Sequence, residues 1–239
     1  MGWAIGFAPV HGDGIIISDT RVIFTQMEKE PAVDCLQKIH YVGPNLISAF
    51  TGSVKVGFRV VAELKKQLGS ARIDQGWNID EISKIWIPRL LRHIYENAEE
   101  SEKTLGLEIV VVAAHPHKSH GGSAMSWIDA VRFSYPDFEA EKSFLNQPLL
   151  IGDQTSKSKR IVELCRKEFS IQTASDDPES QIVATIARQD YDLGAFQIGL
   201  INRGKSTIAN SSQTIAIQSY GNFAKFCAER KLEPFSALA

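Results

Sequence analysis

Only three cysteines occur in 239 residues, Cys35, Cys165 and Cys227, and none belongs to a CxxC or CxH pattern. An odd number of widely spaced thiols in apolar surroundings argues against a disulfide framework and against a thiolate zinc site, and reads as reduced cysteine in a cytoplasmic protein. None of the three has a neighbourhood that would activate a thiolate. No run approaches eighteen apolar residues, and the N-terminal stretch has neither a positive region nor a long apolar segment. Membrane spanning and secretion are therefore not expected. Charge of one sign is also missing: the net charge is −2 and the pI near 6.3. That removes the basic face a nucleic-acid partner would demand. There is no acidic tail, internal repeat, low-complexity block or linker. Length and a hydrophobic content of 44% fit one domain over residues 1–239.

What is present concentrates in the first fifty residues. Gly14-Ile-Ile-Ile-Ser-Asp19-Thr-Arg21 is followed by Gln37-Lys38-Ile-His, then by Ala49-Phe-Thr-Gly52-Ser. Apolar residues fill 15–17 and stop at Asp19 and Arg21, which places a carboxylate and a guanidinium where a buried strand reaches an edge or cleft. Lys38 sits beside Ile39, and buried lysine is rare unless paired. An Asp/Lys pair joined by the strands of one sheet is the kind of half-buried ion pair that tunes a neighbouring nucleophile. An ion network that merely holds the strands in register is the alternative for Asp19, Arg21 and Lys38. For Gly52 the alternative is a strand-end turn.

At these residues the chain resembles the proteasome β-subunit family of N-terminal-nucleophile hydrolases. That family carries an Asp-x-Arg after its second strand, a lysine in a Lys-Ile-x stretch and a glycine after its fourth strand, matched here by Asp19, Arg21, Lys38 and Gly52. The likeness continues through Leu107 to Ala114, Ser126-Trp-Ile-Asp129, Pro148-Leu-Leu-Ile-Gly152 and Ala187-Arg-Gln-Asp-Tyr-Asp-Leu-Gly194, and so covers most of the chain. It implies a four-layer αββα sandwich of two antiparallel sheets, peptide or unfolded protein as substrate, rings of like subunits, and no cofactor or metal. It also implies that the Gly52 N–H serves as an oxyanion donor.

The family's threonine nucleophile is missing. Aligning Ile5-Gly-Phe with the first strand puts Gly2 in its place, and the first threonine, Thr20, lies beyond two core strands. In the family the first residue supplies both the attacking side chain and an α-amine base, and glycine offers only the amine. The family's serine after the Ile-Gly turn falls on Asp153, its later aspartate on Gln189 with Asp190 one position late, and its last serine on Asp192. Three readings follow: a proteasome-type subunit without threonine chemistry, a hydrolase working through Asp153, Asp190 or Asp192 near Lys38 and the Gly52 amide, and a binding or scaffold protein that keeps only the fold.

Periodicity places strands at 3–9, 13–19, 36–42, 45–51, 107–114, 123–129, 131–135, 148–151, 194–202 and 206–216. Helices are expected at 54–69, from Asn78 with a kink or early stop at Pro88, at 155–169, at 178–190 and at 220–230. Sheets covered by helix pairs suit that order. His115-Pro-His117-Lys-Ser-His120 offers three imidazoles within six positions. With no carboxylate or cysteine inside it, the segment reads as an exposed turn rather than a metal clip. Trp3, Trp77, Trp86 and Trp127 read as packing residues.

Overall fold

The structure, a computed structural model, describes residues 2–9, 13–25, 32–70, 77–119, 126–143, 147–154, 156–168, 196–202, 205–210 and 217–239. Its strands are β1 (Trp3–Phe7), β2 (Gly14–Asp19), β3 (Arg21–Phe24), β4 (Ala32–Asp34), β5 (Ile39–Gly43), β6 (Leu46–Gly52), β7 (Leu107–Ser119), β8 (Ser126–Ser134), β9 (Ala140–Lys142), β10 (Leu149–Gly152), β11 (Phe196–Asn202), β12 (Lys205–Asn210) and β13 (Ala237–Leu238). Its helices are α1 (Val54–Leu68), α2 (Ile79–Ile82), α3 (Trp86–Glu96), α4 (Glu100–Lys103), α5 (Ser156–Glu168) and α6 (Tyr220–Arg230). The chain is thus mixed α+β. Its three sheets are antiparallel throughout, in the orders β10-β1-β2-β11-β12, β13-β3-β4 and β5-β6-β7-β8-β9.

Continuous apolar runs form these strands because both of their faces are covered. Every residue of β1 and β2 is buried. Successive side chains of a strand point to opposite faces, so Ile15 and Ile17 pack with Ile161 and Leu164 of α5. Ile16 packs instead with Ile39, Ile47, Val110 and Val112 from the sheet that contains β5 to β9. The same split runs through β6 and β7. Ile47, Ala49 and Val110 face that shared core, whereas Phe50, Ile109 and Val111 join Val60, Leu64 and Leu91 of α1 and α3.

Helix α1 starts where Ser53 caps it, its side chain accepting from the Val56 N–H at 3.3 Å. It ends with Lys65 and Lys66 in its last turn, where cations offset the helix dipole. Gly57 lets this helix lie on the sheet: a Cβ there would come within 2.1 Å of the Phe50 ring. Gly57→Ala is accordingly expected to destabilise by about 1–3 kcal/mol, against the gain of about 1 kcal/mol that alanine brings to an exposed helix interior. Urea midpoints measure the difference. A stabilised variant would show that α1 does not sit this close to β6.

Several boundaries differ from the sequence expectation. The helix from Asn78 breaks at 83–85, upstream of Pro88, and Pro88 falls in the first turn of α3, where the ring is tolerated. Where two strands meeting at 130 are expected, Ser126–Ser134 form one strand, β8, because Asp129 is buried inside the sheet rather than ending it. The short strands β3, β4, β9 and β13 carry too few residues to show alternation. Leu36 makes only an isolated bridge to Ile217, so β5 begins at Ile39. The helix expected at 178–190 lies outside the described residues, whereas α6 spans the expected Tyr220–Arg230. No helix among the described residues is long and apolar enough to cross a membrane.

Candidate functional site

Asp19 closes β2, among buried residues that leave it only 4% exposed. Lys38 reaches it from the segment between the Leu36 bridge and β5. The ammonium donates to Asp19 Oδ1 at 2.5 Å, and the lysine is fully buried. The Trp3 N–H donates to the same oxygen at 3.2 Å. Burial raises the Asp19 pKa above the ordinary carboxylate value, with Lys38, the Trp3 amide and Arg21 pulling the other way.

The backbone at Lys38 is held in turn by β11. Gln197, itself fully buried, accepts from the Lys38 N–H at 2.9 Å. Thr20 O accepts from the Cys35 and Leu36 amides at 3.0 Å each, and Ile217 O from the Gln37 amide at 3.0 Å. Gln197 escaped the sequence reading, although a glutamine inside the apolar run Phe196-Gln-Ile-Gly-Leu-Ile was a visible signal of a buried polar clamp.

Gly2 lies against this pair. A Cβ placed on it would fall 1.8 Å from Lys38 Nζ and 2.9 Å from Asp19 Oδ1. The ammonium therefore occupies the space in which a side chain on residue 2 would begin. The Gly2 carbonyl accepts from the Asp153 N–H at 3.0 Å. Gly152 beside it has φ +80°, and a Cβ there would come within 2.2 Å of the Gly2 carbonyl oxygen. Only glycine suits that position, by conformation and by space.

Gly52 completes the cluster with φ +98°, its Cα facing Gly106 O, which an added Cβ would meet at 2.4 Å. Its N–H donates to the Ala239 carbonyl oxygen at 3.1 Å, and its own carbonyl accepts from the Ala239 N–H at 2.8 Å. The Ala239 carbonyl carbon stands 2.8 Å from the point a Gly2 Cβ would occupy. The Ala239 C=O is thus held by the Gly52 amide, with the Lys38 ammonium close by and no side chain on residue 2.

The structure brings Gly2, Asp19, Lys38 and Gly52 together. Arg21 it directs elsewhere: its guanidinium pairs with Asp34 at 3.2 Å on a part-exposed surface, and the remaining pull on Asp19 is the weakest of those acting there. That corrects the expected three-membered cluster, because residues 19 and 21 follow different sheets, β2 and β3. Asp153 meets Gly2 through its backbone amide rather than its carboxylate. Asp190 and Asp192 lie outside the described residues. The three cysteines offer no substitute nucleophile: burial pushes the thiols of Cys35 and Cys165 to about 12 and that of Cys227 to about 11.

A second ionic cluster forms around His115, which is buried rather than in an exposed turn. Its Nε2 lies 2.5 Å from Asp129 Oδ2, which also accepts from Trp127 Nε1 at 3.2 Å. Asp80, His115 and Asp129 bring their ligand atoms within 4.8 Å of one another, a spacing that could hold a metal ion. Lys142 already reaches both carboxylates, at 2.6 Å to Asp80 and 3.0 Å to Asp129, so the chain supplies its own cation there. The imidazoles of His117 and His120 lie outside the described side chains. No protein-family model matches this chain, and no curated protein does.

Proposed function

We propose that the chain is a proteasome-type subunit, arranged as a four-layer αββα sandwich, whose cleft holds an extended peptide or unfolded segment without hydrolysing it through residue 2. The observation that carries this reading is the reciprocal backbone pairing of Gly52 with Ala239, next to the buried Asp19–Lys38 pair and the bare backbone of Gly2. An extended chain adding to a strand end binds through main-chain hydrogen bonds, with side-chain selection left to the neighbouring space. A preorganised amide that holds a carbonyl is half of an acyl-transfer site. The other half, a positioned nucleophile, is blocked at residue 2 by the Lys38 ammonium. Sheets that share a core, with helices on their outer faces, support the layered arrangement.

Incubation with fluorogenic peptides is expected to give no release above background. Gly2→Thr is expected not to create activity and to lower stability by about 1–3 kcal/mol, since its Cβ must displace the Lys38 ammonium. Turnover by either protein, lost on Lys38→Met, would overturn the non-hydrolytic reading. Size exclusion with negative-stain imaging tests the subunit role: discrete rings support it, and a monomer at all concentrations removes it in favour of a scaffold that retains only the fold.

A further inference from the structure

The backbone groups of Gly52 are taken by the chain itself. After α6, Lys231 turns the backbone in the left-handed region at φ +56°, and a 3-10 turn at Pro234–Ser236 leads into β13. Thr25 fixes the entry of this segment, its N–H and hydroxyl both donating to Ser236 O at 3.2 Å. Ala237 then pairs with Phe24 and Leu238 with Ile23 of β3, and Ala239 crosses to Gly52. Ala237 and Ala239 are buried, at 1% and 0% exposure. The described side chains seated there, those of Ala237 and Ala239, are methyl groups.

We propose that Ala237–Ala239 is a displaceable occupant of the peptide cleft, so that a peptide in trans gains access only when this segment leaves. The proposal rests on the peptide-holding reading above and adds two things to it. The cleft takes an extended ligand whose residue opposite Gly52 is small, and the resident segment competes for it. Three features make displacement cheap relative to unfolding. The segment is short, backbone hydrogen bonds tie it to β3 and to Gly52, and the bonds to Gly52 are two. Short segments next to a turn can open locally, below the global unfolding free energy. A tethered occupant has an effective concentration on the order of millimolar, so removing it is expected to tighten peptide binding by about tenfold or more.

The test follows a fluorescein-labelled peptide with the sequence of residues 235–239, titrated by anisotropy into the wild-type full chain and into Ala239→Pro, which lacks the N–H that reaches Gly52 O. Hydrogen exchange of the Gly52 amide is measured in both. The proposal expects the Gly52 amide to be protected in the wild type by an opening insensitive to low denaturant, the protection to fall in Ala239→Pro, and the peptide to bind the variant at least about tenfold more tightly. Wild-type exchange at Gly52 that proceeds only through global unfolding overturns it, because the segment is then a permanent strand. That wild-type measurement stands even if the variant does not fold. Equal peptide affinity in the two proteins, with Gly52 deprotected in the variant, sinks the competition alone. Deprotection with no peptide bound by either protein sinks the peptide-holding reading and the competition with it.

Discussion

Lys38→Met is expected to lose about 3–5 kcal/mol of folding stability near neutral pH, because it leaves the Asp19 carboxylate buried without its partner. The loss is expected to shrink on acidification. Burial already raises the folded pKa of Asp19 above its ordinary 3.8, and the Lys38 ammonium is the strongest influence in the opposite direction. A carboxyl whose folded pKa lies above its unfolded one favours folding below the unfolded value. That contribution disappears as pH rises through the folded value. Removing Lys38 moves the folded value further up and widens the window over which the contribution disappears. The penalty of the variant relative to wild type is thus full at about pH 7.5 and smaller at about pH 4.5, where more of Asp19 is protonated. Urea unfolding at both pH values measures it. A penalty below about 1 kcal/mol, or one equal at both, would mean that the ammonium and the carboxylate do not meet in a dry site.

His40→Phe is expected to remove most of the acid sensitivity contributed by the core. His40 lies in β5 with no exposure, its ring stacked on Phe50 at 6.1 Å and edge-on to Phe58 at 5.8 Å. Neither ring nitrogen has a well-formed hydrogen bond. Burial, helped by the Lys65 ammonium, lowers its pKa to about 3, and the Gln37 backbone pulls only weakly the other way. With the folded value below the unfolded 6.5, the unfolded chain takes up the proton first. Stability is therefore complete above about pH 6.5 and falls toward pH 3, by roughly 1.4 kcal/mol per unit at most. The effect is opposite in sign to that of Asp19, which is why the substitution is needed to isolate it. Phenylalanine keeps the aromatic contacts and has nothing to titrate. The gap between variant and wild type is expected to widen steadily from about pH 6 to pH 3.5, reaching several kcal/mol. Parallel pH profiles would contradict a buried, neutral His40.

The site was legible in the sequence where strand ends carried charge. Asp19 ends an apolar run and Lys38 borders Ile39 at the start of a strand, and a charge at such a place is costly enough that a buried partner is demanded. Gly52 was legible as a strand-end glycine, and its positive φ accounts for the residue type. Arg21 was misplaced because one residue, Thr20, separates two sheets, and no periodicity marks that change. The segment 237–239 left no signal at all: three residues cannot show alternation, and their partners in β3 and at Gly52 lie far away in the chain. Asp129 misled for the opposite reason. A carboxylate inside a strand reads as its end, yet His115, Trp127 and Lys142 satisfy it within the sheet. Elements of four or more turns, such as α1, were readable from their apolar stripe alone.

A double-mutant cycle on Asp19→Asn and Lys38→Met tests most directly whether the early strands converge on a dry ion pair beside Gly2. Stabilities of the four proteins, from urea unfolding near neutral pH, are predicted to give a coupling above about 1.5 kcal/mol, with the double variant more stable than Lys38→Met alone. Losses that add to within about 0.5 kcal/mol would place the two side chains apart, and the peptide cleft built around them would go with that result.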